Sequence, residues 1–378
     1  MKFIHLSDLH LGKRVHEYSM IEDQKHILNQ IIDIIDNEKP DGVLIAGDVY
    51  DKPIPSADAV QLFDDFLVKL AQRKLEVFVI SGNHDSPERI SFGSRIMSAG
   101  GIHLSPVYNG EIEPFTMTDE HGKLNVYMLP FVKPANVRCF SDDEINSYTD
   151  AIRVAIEKMN INPTERNILV AHQYVTGAAR SASEEISVGG LDNVDATVFE
   201  QFDYVALGHL HSPQNCGSEK IRYCGTPLKY SFSEVKDEKS VTVVEFLEKG
   251  TVSYKTVKLT PQHELVELRG TYEQLTAKSY YEHKTWQEDY THIILTDEDD
   301  IPDAIGKLRV IYHNLMKLNY DNKRTQTSGE IKSIDGIENK TPLELFGDFY
   351  AMQNNQQMSN EQTEFMKKLI ENIWEGEQ

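Results

Sequence analysis

The sequence has few of the residues that build disulfide-rich or membrane-embedded proteins. Its three cysteines, Cys139, Cys216 and Cys224, match neither a zinc motif nor a disulfide framework, so we expect reduced, structural thiols. No apolar run reaches the length of a bilayer span. No basic and then apolar leader precedes the first apolar segment, so we expect a cytoplasmic protein that makes no membrane contact.

Positive charge is also scarce. The 38 lysines and arginines are outnumbered by 60 aspartates and glutamates, which gives a net charge of −22. Because phosphate contacts need local cations, this balance argues against unaided binding of nucleic acid, although bound metal ions could supply positive charge at a site. The chain of 378 residues exceeds one typical domain and shows no internal repeat, so we expect two domains and a tail.

Side chains of the metal-ligand type recur where apolar segments end. These segments are Phe3–Leu6, Val43–Ala46, Val77–Ile80, Ile168–Ala171 and Tyr204–Leu207. The polar residues that follow them are Asp8, His10, Asp48, Asn83, His84, His172, His209 and His211. One such motif alone is weak, but the ends of strands are where α/β sheets assemble their sites. The recurrence therefore predicts one shared metal site.

The ligand types predict two adjacent divalent cations with a carboxylate between them. Asp48 is the natural bridge, since Gly47 lets the backbone approach closely there. The other expected ligands are Asp8, His10 and His211 for one metal, and Asn83, His172 and His209 for the other. Mixed nitrogen and oxygen ligands suit Mn²⁺, Fe²⁺ or Zn²⁺ better than Mg²⁺ or Ca²⁺. Cations about 3.5–4 Å apart can hold a hydroxide and clamp a phosphate during in-line displacement.

Two further residues are candidates for catalysis. His84 lies between Asn83 and Asp85, where it can face the substrate as a donor to the phosphoryl oxygen or as an acid toward the leaving oxygen. Asp51, three residues after the predicted bridge, could orient His84, or it could cap the turn.

The pattern of the first 260 residues predicts an α/β fold. Amphipathic helices over Tyr18–Lys39 and Ala57–Lys74 alternate with the first three strands, which implies right-handed crossovers and a layered core. A further helix is predicted over Asp142–Met159. Later strands would close a second sheet, so we expect a two-sheet sandwich flanked by helices.

Around Pro261 the pattern changes. Residues 261–320 predict a small α+β domain that includes a helix over Ile301–Leu315. Residues 321–340 are polar and predict a linker. Residues 341–378, here called the tail, contain two amphipathic segments, Pro342–Asn354 and Glu361–Trp374. The expected domains are therefore 1–260, 261–320, the linker 321–340 and the tail.

The order of these motifs resembles that of the calcineurin-like metallophosphoesterases. The similarity is closest to the nuclease subunits that partner a long coiled-coil ATPase of the SbcC type. The segments that carry it are Asp8–Gly12, Gly47–Asp51, His172–Gly177, Gly189–Gly190 and Tyr223–Glu234. Cys224 departs from the pattern by standing where we expect a small serine.

The resemblance implies a metallophosphoesterase fold and a specific set of activities. It implies two Mn²⁺ ions, ATP-dependent exonuclease action on double-stranded DNA ends, and endonuclease opening of single strands and hairpins during DNA recombination, replication and repair. It also implies that the small domain caps the site and recognises DNA. The tail would dock on the coiled coil of the ATPase, and the chain would form a homodimer within the complex.

Other functions remain open at this point. A phosphoprotein phosphatase is disfavoured, because Lys52 and Asp85 stand where that branch carries arginine and glutamate. A small-molecule phosphodiesterase, for example one acting on cyclic nucleotides, shares the core but usually lacks the added domain and the amphipathic tail. A non-catalytic scaffold for the ATPase is the remaining alternative, although such a protein has no physical need for a complete ligand set.

Overall fold

The computed structural model describes residues 1–179, 192–322, 343, 345–347, 349–350 and 358–375. The strands in this part are β1 (Lys2–Leu6), β2 (Arg14–Val15), β3 (Tyr18–Ser19), β4 (Gly42–Ala46), β5 (Glu76–Ile80), β6 (Ile102–Leu104), β7 (Phe115–Asp119), β8 (Gly122–Leu129), β9 (Arg166–His172), β10 (Tyr174–Val175), β11 (Asn193–Val194), β12 (Tyr204–Gly208), β13 (Gln214–Cys216), β14 (Ser218–Tyr223), β15 (Ser240–Phe246), β16 (Val252–Lys258), β17 (Leu265–Gly270), β18 (Tyr290–Leu295) and β19 (Asn314–Tyr320). The helices are α1 (Ile21–Glu38), α2 (Ala57–Gln72), α3 (Pro87–Ile90), α4 (Ser94–Met97), α5 (Pro134–Arg138), α6 (Tyr148–Glu157), α7 (Tyr272–Thr276), α8 (Lys278–Tyr281), α9 (Ala304–Arg309) and α10 (Asn360–Glu375), with 3₁₀ turns at Ser98–Gly100, Ala196–Phe199 and Phe232–Glu234.

Two six-stranded sheets form the core. Their strand orders are β16-β15-β1-β4-β5-β6 and β13-β14-β12-β9-β8-β7. In the first sheet β1, β4, β5 and β6 run parallel, and in the second β14, β12, β9 and β8 do so. The carboxyl ends of β1, β4 and β5 therefore share one edge of the first sheet, and those of β9 and β12 share one edge of the second.

The two sheets pack face to face through an apolar core. Phe3, Leu44 and Phe78 belong to the first sheet and contact the layer that Ile168 and Ala206 contribute from the second. The opposite face of each sheet is also covered, which explains why these strands are apolar on both sides instead of alternating with polar residues. The predicted two-sheet sandwich is confirmed.

Helices cover the outer faces of the sandwich. The apolar faces of α1 and α2 pack on the first sheet, and α6 packs on the second. The prediction of a helix over Asp142–Met159 is wrong at its amino end, because α6 begins only after Ser147. There the Ser147 side chain accepts a hydrogen bond from Asp150 N at 3.1 Å, and the Asp150 carboxylate accepts one from Ser147 N at 3.1 Å. This capping box stops the helix from extending further back.

The chain divides into two compact units. The first is Met1–Glu267, His283–His292 and Leu308–Lys317, and the second is Leu268–Glu282, Ile293–Lys307 and Leu318–Gln378. Strands β17, β18 and β19 form a three-stranded sheet. The predicted helix over Ile301–Leu315 is wrong beyond Arg309, because β19 begins at Asn314. β-branched Val310 and Ile311 disfavour further helix, and Leu315 and Met316 are buried in the strand.

The linker and tail are described only in part. Residues 323–342, most of the predicted linker, lie outside the described residues, as do Gly189 and Gly190. Asp321, at the start of the linker, donates its N–H to Leu295 O at 2.8 Å within the second unit. Helix α10 confirms the second predicted tail helix, and residues 345–347 and 349–350 are helical within the first. None of the helices in the described ranges has the length and apolar character needed to cross a bilayer.

Candidate metal centre

The strand ends of both sheets bring all seven predicted ligands together. Each residue follows or ends a strand: β1 carries Asp8 and His10, β4 carries Asp48, β5 carries Asn83, β9 carries His172, and β12 carries His209 and His211. Three overlapping groups have ligand atoms within 4.8 Å of one another: Asp8, His10 and His211; Asp8, Asp48 and His172; and His10, Asp48 and His84. Parallel strands place these loops at one edge of each sheet, as the sequence predicts.

Asp48 lies between the two predicted sets of ligands. Its Oδ2 is 3.2 Å from His172 Nε2 and 3.8 Å from His10 Nε2, while its Oδ1 accepts a hydrogen bond from His84 N at 2.9 Å. Burial by itself would raise the pKa of Asp48, but the facing His172 and His10 hold it well below its usual range. A carboxylate that stays ionised between two sets of imidazoles suits a bridging ligand.

The first ligand set has the chemistry of a cation cradle. His10 Nε2 and His211 Nε2 are 3.2 Å apart, and His10 is fully buried. Two imidazole nitrogens at this distance need either a proton or a cation between them. Burial lowers the pKa of His10 well below its usual value, so this ring is neutral and able to bind a metal. Burial also raises the pKa of the neighbouring Asp8 carboxyl to about 6. These residues fit a divalent metal.

The second ligand set converges on an amide oxygen. Asn83 Oδ1 lies 3.0 Å from His172 Nε2 and 3.0 Å from His209 Nδ1. His172 donates its Nδ1–H to Ala46 O at 2.8 Å, across to the other sheet, which directs Nε2 toward Asn83 and Asp48. Fixing one ring nitrogen in this way orients the other as a ligand. Burial opposes protonation of His172, but the facing Asp48 raises its pKa to about 9.

Four of the predicted ligands have strained backbones. The φ angles are 52° at Asp8, 44° at His10, 49° at Asp48 and 102° at His209. Residues with a side chain rarely adopt positive φ, and each instance costs of order 1–3 kcal/mol, which the surrounding structure must offset. The concentration of this strain on four candidate ligands indicates that the fold holds them in place for chemistry.

Two glycines allow the sheets to approach each other at the site. A Cβ on Gly208 would lie 1.9 Å from Ala46 O, and one on Gly47 would lie 2.5 Å from His172 Nδ1. Gly47 also has a φ of 83°, which disfavours any other residue. These two glycines are therefore needed for the two sheets to share one site.

His84 lies beside the ligands and is less buried than most of them. Its ring is half-buried and packs edge-on against His10 at 4.8 Å between centroids. Its Nδ1 is 3.1 Å from the backbone carbonyl of Asp51. The Asp51 carboxylate instead contacts Lys13 Nζ at 2.6 Å and lies 3.8 Å from His10 Nδ1. The contact that could orient His84 is made by the backbone carbonyl of Asp51, and its role stays a prediction.

Two buried acids support the ligand loops and were not predicted. Asp85 accepts hydrogen bonds from Val49 N, Tyr50 N and Gly82 N at 2.9–3.0 Å, so it ties the Asp48 loop to the Asn83 loop. Burial, and then the charge of Asp48, raises the pKa of Asp85 to about 7. The only sequence signal for this role was its place next to His84.

The second acid is Glu234, whose Oε1 lies 3.5 Å from His211 Nδ1. Its Oε2 accepts a hydrogen bond from Lys239 Nζ at 2.6 Å, and Lys239 also donates to His211 O at 2.9 Å. Burial opposes ionisation of Glu234, but His211 and Lys239 bring its pKa down to about 2. A carboxylate behind His211 directs Nε2 toward the site. No sequence signal linked these residues, because strands β13 and β14 separate Glu234 from His211 along the chain.

Comparison with known proteins identifies the family. Residues 1–213 match the family model described as calcineurin-like phosphoesterase. The chain belongs to the calcineurin-like phosphoesterases. Residues 261–354 of this phosphoesterase match a second model, described as the type 5 capsule protein repressor C-terminal domain.

Two relatives of this phosphoesterase match over nearly their whole lengths. It is 32% identical over 385 aligned residues to the SbcD component of the nuclease SbcCD from Staphylococcus epidermidis, covering 100% of both chains. It is 32% identical over 375 residues to the protein of the same name from Staphylococcus saprophyticus, covering 98% of both. A solved dimetal phosphatase from Danio rerio is 14% identical, covers 69% of this chain and 98% of its own, and gives a TM-score of 0.41.

These matches confirm several sequence predictions. The predicted family resemblance, fold class and enzyme class of a phosphoesterase are confirmed. The assignment of individual ligands, and the roles of His84 and Asp51, stay predictions that the geometry now makes specific.

Proposed function

We propose that this phosphoesterase is a dinuclear-metal DNA nuclease that uses Mn²⁺ and acts with an SbcC-type ATPase. The observation that carries the proposal is the meeting of seven predicted ligands, six of them buried and four with strained backbones, in a chain with full-length similarity to relatives named as nuclease components. The complex would act as an ATP-dependent double-strand exonuclease and as an endonuclease on single strands and hairpins, in DNA recombination, replication and repair.

The site residues divide into those that would bind the metals and one, His84, that would act on the substrate. The ligands of one cation would be Asp8, His10 and His211, those of the other Asn83, His172 and His209, with Asp48 between them. Two bound cations supply positive charge and an activated water for displacement at phosphorus. Asn83 and His84 are less buried than the other site residues, so the phosphodiester would approach from their side.

His84 would act on the substrate. With Nδ1 at 3.1 Å from the Asp51 carbonyl, its ring is oriented by a backbone acceptor. In that orientation the opposite nitrogen can carry a proton toward the leaving oxygen or donate to a phosphoryl oxygen. His84 also lies within ligand range of Asp48 and His10, so a role as a metal ligand is the alternative.

The remaining parts of the chain would serve assembly. We place DNA recognition in the small domain, 261–320, and attachment to the ATPase in the tail. Large apolar side chains support the second assignment, since Phe349 and Phe365 of the tail are 56% and 67% exposed. Phe92 and Ile96, each 83% exposed in the segment after His84, support a homodimer within the complex. The complex would work in the cytoplasm.

The test is a comparison of substrates with the purified chain. Metal-free protein is reloaded with Mn²⁺, Mg²⁺, Zn²⁺ or Fe²⁺ and given linear duplex DNA, hairpin DNA, a cyclic nucleotide and a chromogenic phosphodiester. The proposal expects Mn²⁺-dependent cleavage of DNA, with ATP dependence when the ATPase is added. Turnover of the small diesters alone would favour a small-molecule phosphodiesterase, and no turnover with any metal would favour a scaffold.

A further inference from the structure

The loop that carries His10 is clamped from behind by two buried side chains. Gln24, on α1, donates from Nε2 to His10 O at 2.7 Å and accepts at Oε1 from Gly12 N at 3.0 Å. Tyr230 donates its hydroxyl to Leu9 O at 2.6 Å. The two side chains also bond to each other, with Gln24 Nε2 at 3.0 Å from the Tyr230 hydroxyl. Together they contact three of the four residues of the loop Leu9–Gly12.

The clamp is fully buried and fully hydrogen-bonded. Gln24 is 2% exposed and Tyr230 is 4% exposed. Burying an amide or a hydroxyl is costly unless its hydrogen bonds are replaced, and here both amide protons, the amide oxygen and the hydroxyl have partners. Satisfied buried networks of this kind hold their surroundings in a single arrangement. Neither side chain is a predicted ligand. Gln24 acts through the loop backbone, and the Tyr230 ring also packs edge-on against His10 at 5.8 Å and His211 at 6.4 Å between centroids, a contact that Tyr230→Phe keeps.

The helix end that carries Gln24 is itself anchored. The neighbouring Asp23 is 1% exposed and accepts hydrogen bonds from the Tyr290 hydroxyl at 2.7 Å and from His263 N at 3.1 Å. These contacts fix the first turn of α1. They are made by Asp23, whereas Gln24 holds the loop. Gln24 therefore holds the loop from a helix end whose own position is fixed.

The loop needs such a restraint because its backbone is strained. His10 within it has a φ angle of 44°, and Asp8 just before it has one of 52°. On the side of the Asp48 loop, His10 N donates to Asp48 O at 2.9 Å. The carbonyl of His10 is held by Gln24. Both backbone groups of a single strained ligand are thus bonded to different elements.

We propose that Gln24 and Tyr230 are positioning residues that set the affinity of one metal, the one held by Asp8, His10 and His211. The metal held by Asn83, His172 and His209 is linked to the clamp only through the shared Asp48, whose carbonyl accepts from His10 N, since none of its other predicted ligands lies on the clamped loop. This inference rests on the proposed two-metal function. It predicts that the affinity of one metal can be lowered without an equal effect on the other, by substituting residues that are ligands of neither.

The test is a Mn²⁺ titration followed by electron paramagnetic resonance of the free ion. The variants are Gln24→Met, which keeps the length and removes every hydrogen bond, and Tyr230→Phe, which removes only the hydroxyl. Gln24→Glu keeps the acceptor for Gly12 N but cannot donate to His10 O. Gln30→Met, on the same helix but bonded to Thr260, is the matched control. His10→Ala identifies which binding event belongs to the clamped loop.

We expect the event that His10→Ala removes to weaken about 10- to 100-fold in both Gln24 variants and in Tyr230→Phe, the usual effect of losing a residue that orients a ligand. The other event and the Gln30→Met control should match the wild type. The Mn²⁺ concentration for half-maximal hydrolysis should rise, with kcat at saturating Mn²⁺ little changed. Tyr230→Phe is conservative enough to fold, and its melting temperature provides the check.

Three outcomes would overturn the clamp: unchanged affinity for both ions in Tyr230→Phe and Gln24→Met, equal weakening of both ions, or a fall in kcat with no change in affinity. Failure of the proposed function looks different. Wild-type protein that binds fewer than two ions contradicts the two-metal site, and the clamp is then judged on the affinity of the ion that His10→Ala removes.

Discussion

At the scale of single residues, Asp48 has the most central position in the site. It lies within 3.8 Å of imidazole nitrogens from His10 and His172, which belong to different predicted metals. Asp48→Asn keeps the shape and one oxygen but loses the charge that faces both imidazoles. We expect turnover to be abolished and both metals to bind weakly, measured by elemental mass spectrometry of the desalted protein.

The same substitution at an acidic residue outside the site tests whether the effect is specific to Asp48. Asp36→Asn is a matched control, because that carboxylate pairs with Arg73 on the surface and belongs to none of the ligand loops. Two retained ions and a normal rate in Asp48→Asn would show that Asp48 is not the bridge.

His84 should behave differently from the ligands. His84→Gln keeps a polar side chain of similar reach but cannot transfer a proton. We expect close to two metals per chain with hydrolysis slower by about 10²–10⁴-fold, the usual worth of a positioned proton-transfer group. Loss of an ion in this variant would instead assign His84 to the ligands, an option that its closeness to Asp48 and His10 leaves open.

The candidate ligands were predictable because each stands directly after an apolar strand, where parallel topology forces neighbouring loops together. Asp85 and Glu234 were not, since their roles depend on which backbone or ring faces them after folding. Gln24 gave a weak signal as an amide on the buried face of an amphipathic helix. The positive φ of 102° at His209 could not be predicted from its residue type, because histidine rarely adopts this conformation.

At the scale of elements, the tail gives a direct prediction about the partner. It holds two lysines against seven acidic residues, a net charge of −5, so it is unsuited to following DNA phosphates. Its apolar side chains, such as Phe365 at 67% exposure, are suited to helix-on-helix docking. If the proposed attachment is right, deleting 341–378 should leave the remaining chain folded and metal-bound but unable to co-purify with an SbcC-type ATPase.

A matched control for the deletion is a full-length chain with Lys367→Ala and Lys368→Ala, which keeps the apolar side chains. We expect that control to bind the ATPase like the wild type in a pull-down or by calorimetry. Undiminished affinity in the truncated chain would place the docking surface elsewhere.

The segment after the Asn83 loop makes a second prediction at this scale. Phe92, just before α4, and Ile96, within it, are each 83% exposed. If they bury against a second copy, Phe92→Asp with Ile96→Asp should shift the sedimentation coefficient from dimer to monomer, because a carboxylate in an apolar interface is strongly unfavourable. Val310→Asp, also on an exposed apolar residue, is the control. A wild-type chain that sediments as a monomer at all concentrations would contradict the homodimer.

Helices and strands were predictable where the spacing of apolar residues and the residues at the ends of a segment indicated the same element. The central strands of both sheets and helices α1 and α2 follow from apolar runs and 3.6-residue periodicity. The prediction was wrong at Tyr18–Ser19, which form β3 and not the start of the first helix, and it missed the polar strand β13. The start of α6 and the end of α9 were missed for local reasons, a serine cap in one case and β-branched residues before β19 in the other. The division between the two units could not be read from one proline, since strands β17 to β19 each continue from one unit into the other.

At the scale of the whole molecule, stability should depend on metal and pH together. Without metal, the pKa of Asp8 rises from 3.8 to about 6 and that of His172 from 6.5 to about 9. A raised pKa means that the folded chain binds the proton more tightly, so each contribution is complete below the ordinary value and is lost as pH rises through the folded value. His5 and His10 act in the opposite sense below pH 6.5, because burial lowers their pKa values, that of His5 to about 3. We therefore expect the melting temperature of chelator-treated protein to fall between about pH 6.5 and pH 9, where His172 loses its proton.

Added Mn²⁺ should act in the opposite sense. Ligands must lose their protons to bind, so the stabilisation by Mn²⁺ should grow as pH rises across the same window. At 100 times the dissociation constant one ion contributes about 2.7 kcal/mol to the free energy of unfolding. Differential scanning calorimetry at several pH values, with chelator and with Mn²⁺, measures both trends, and His172→Asn should flatten the first. A metal-free melting temperature that increases with pH would contradict these pKa shifts.

The pairing of the first strand has a consequence for biosynthesis. Strand β1 lies between β4 and β15, with Lys2 opposite Glu245 and Phe3 opposite Val244, and three of the ligands come from β9 and β12 of the other sheet. A chain emerging from the ribosome exposes Asp8 and His10 first and does not possess His211 until more than half of its length has been translated. Strand β1 also lacks its neighbour on one side until β15 has been synthesised. A product that ends before His211 therefore lacks at least one predicted ligand, and one that ends before Ser240 lacks the strand that pairs with β1. The centre can form only when most of the first 246 residues have been synthesised.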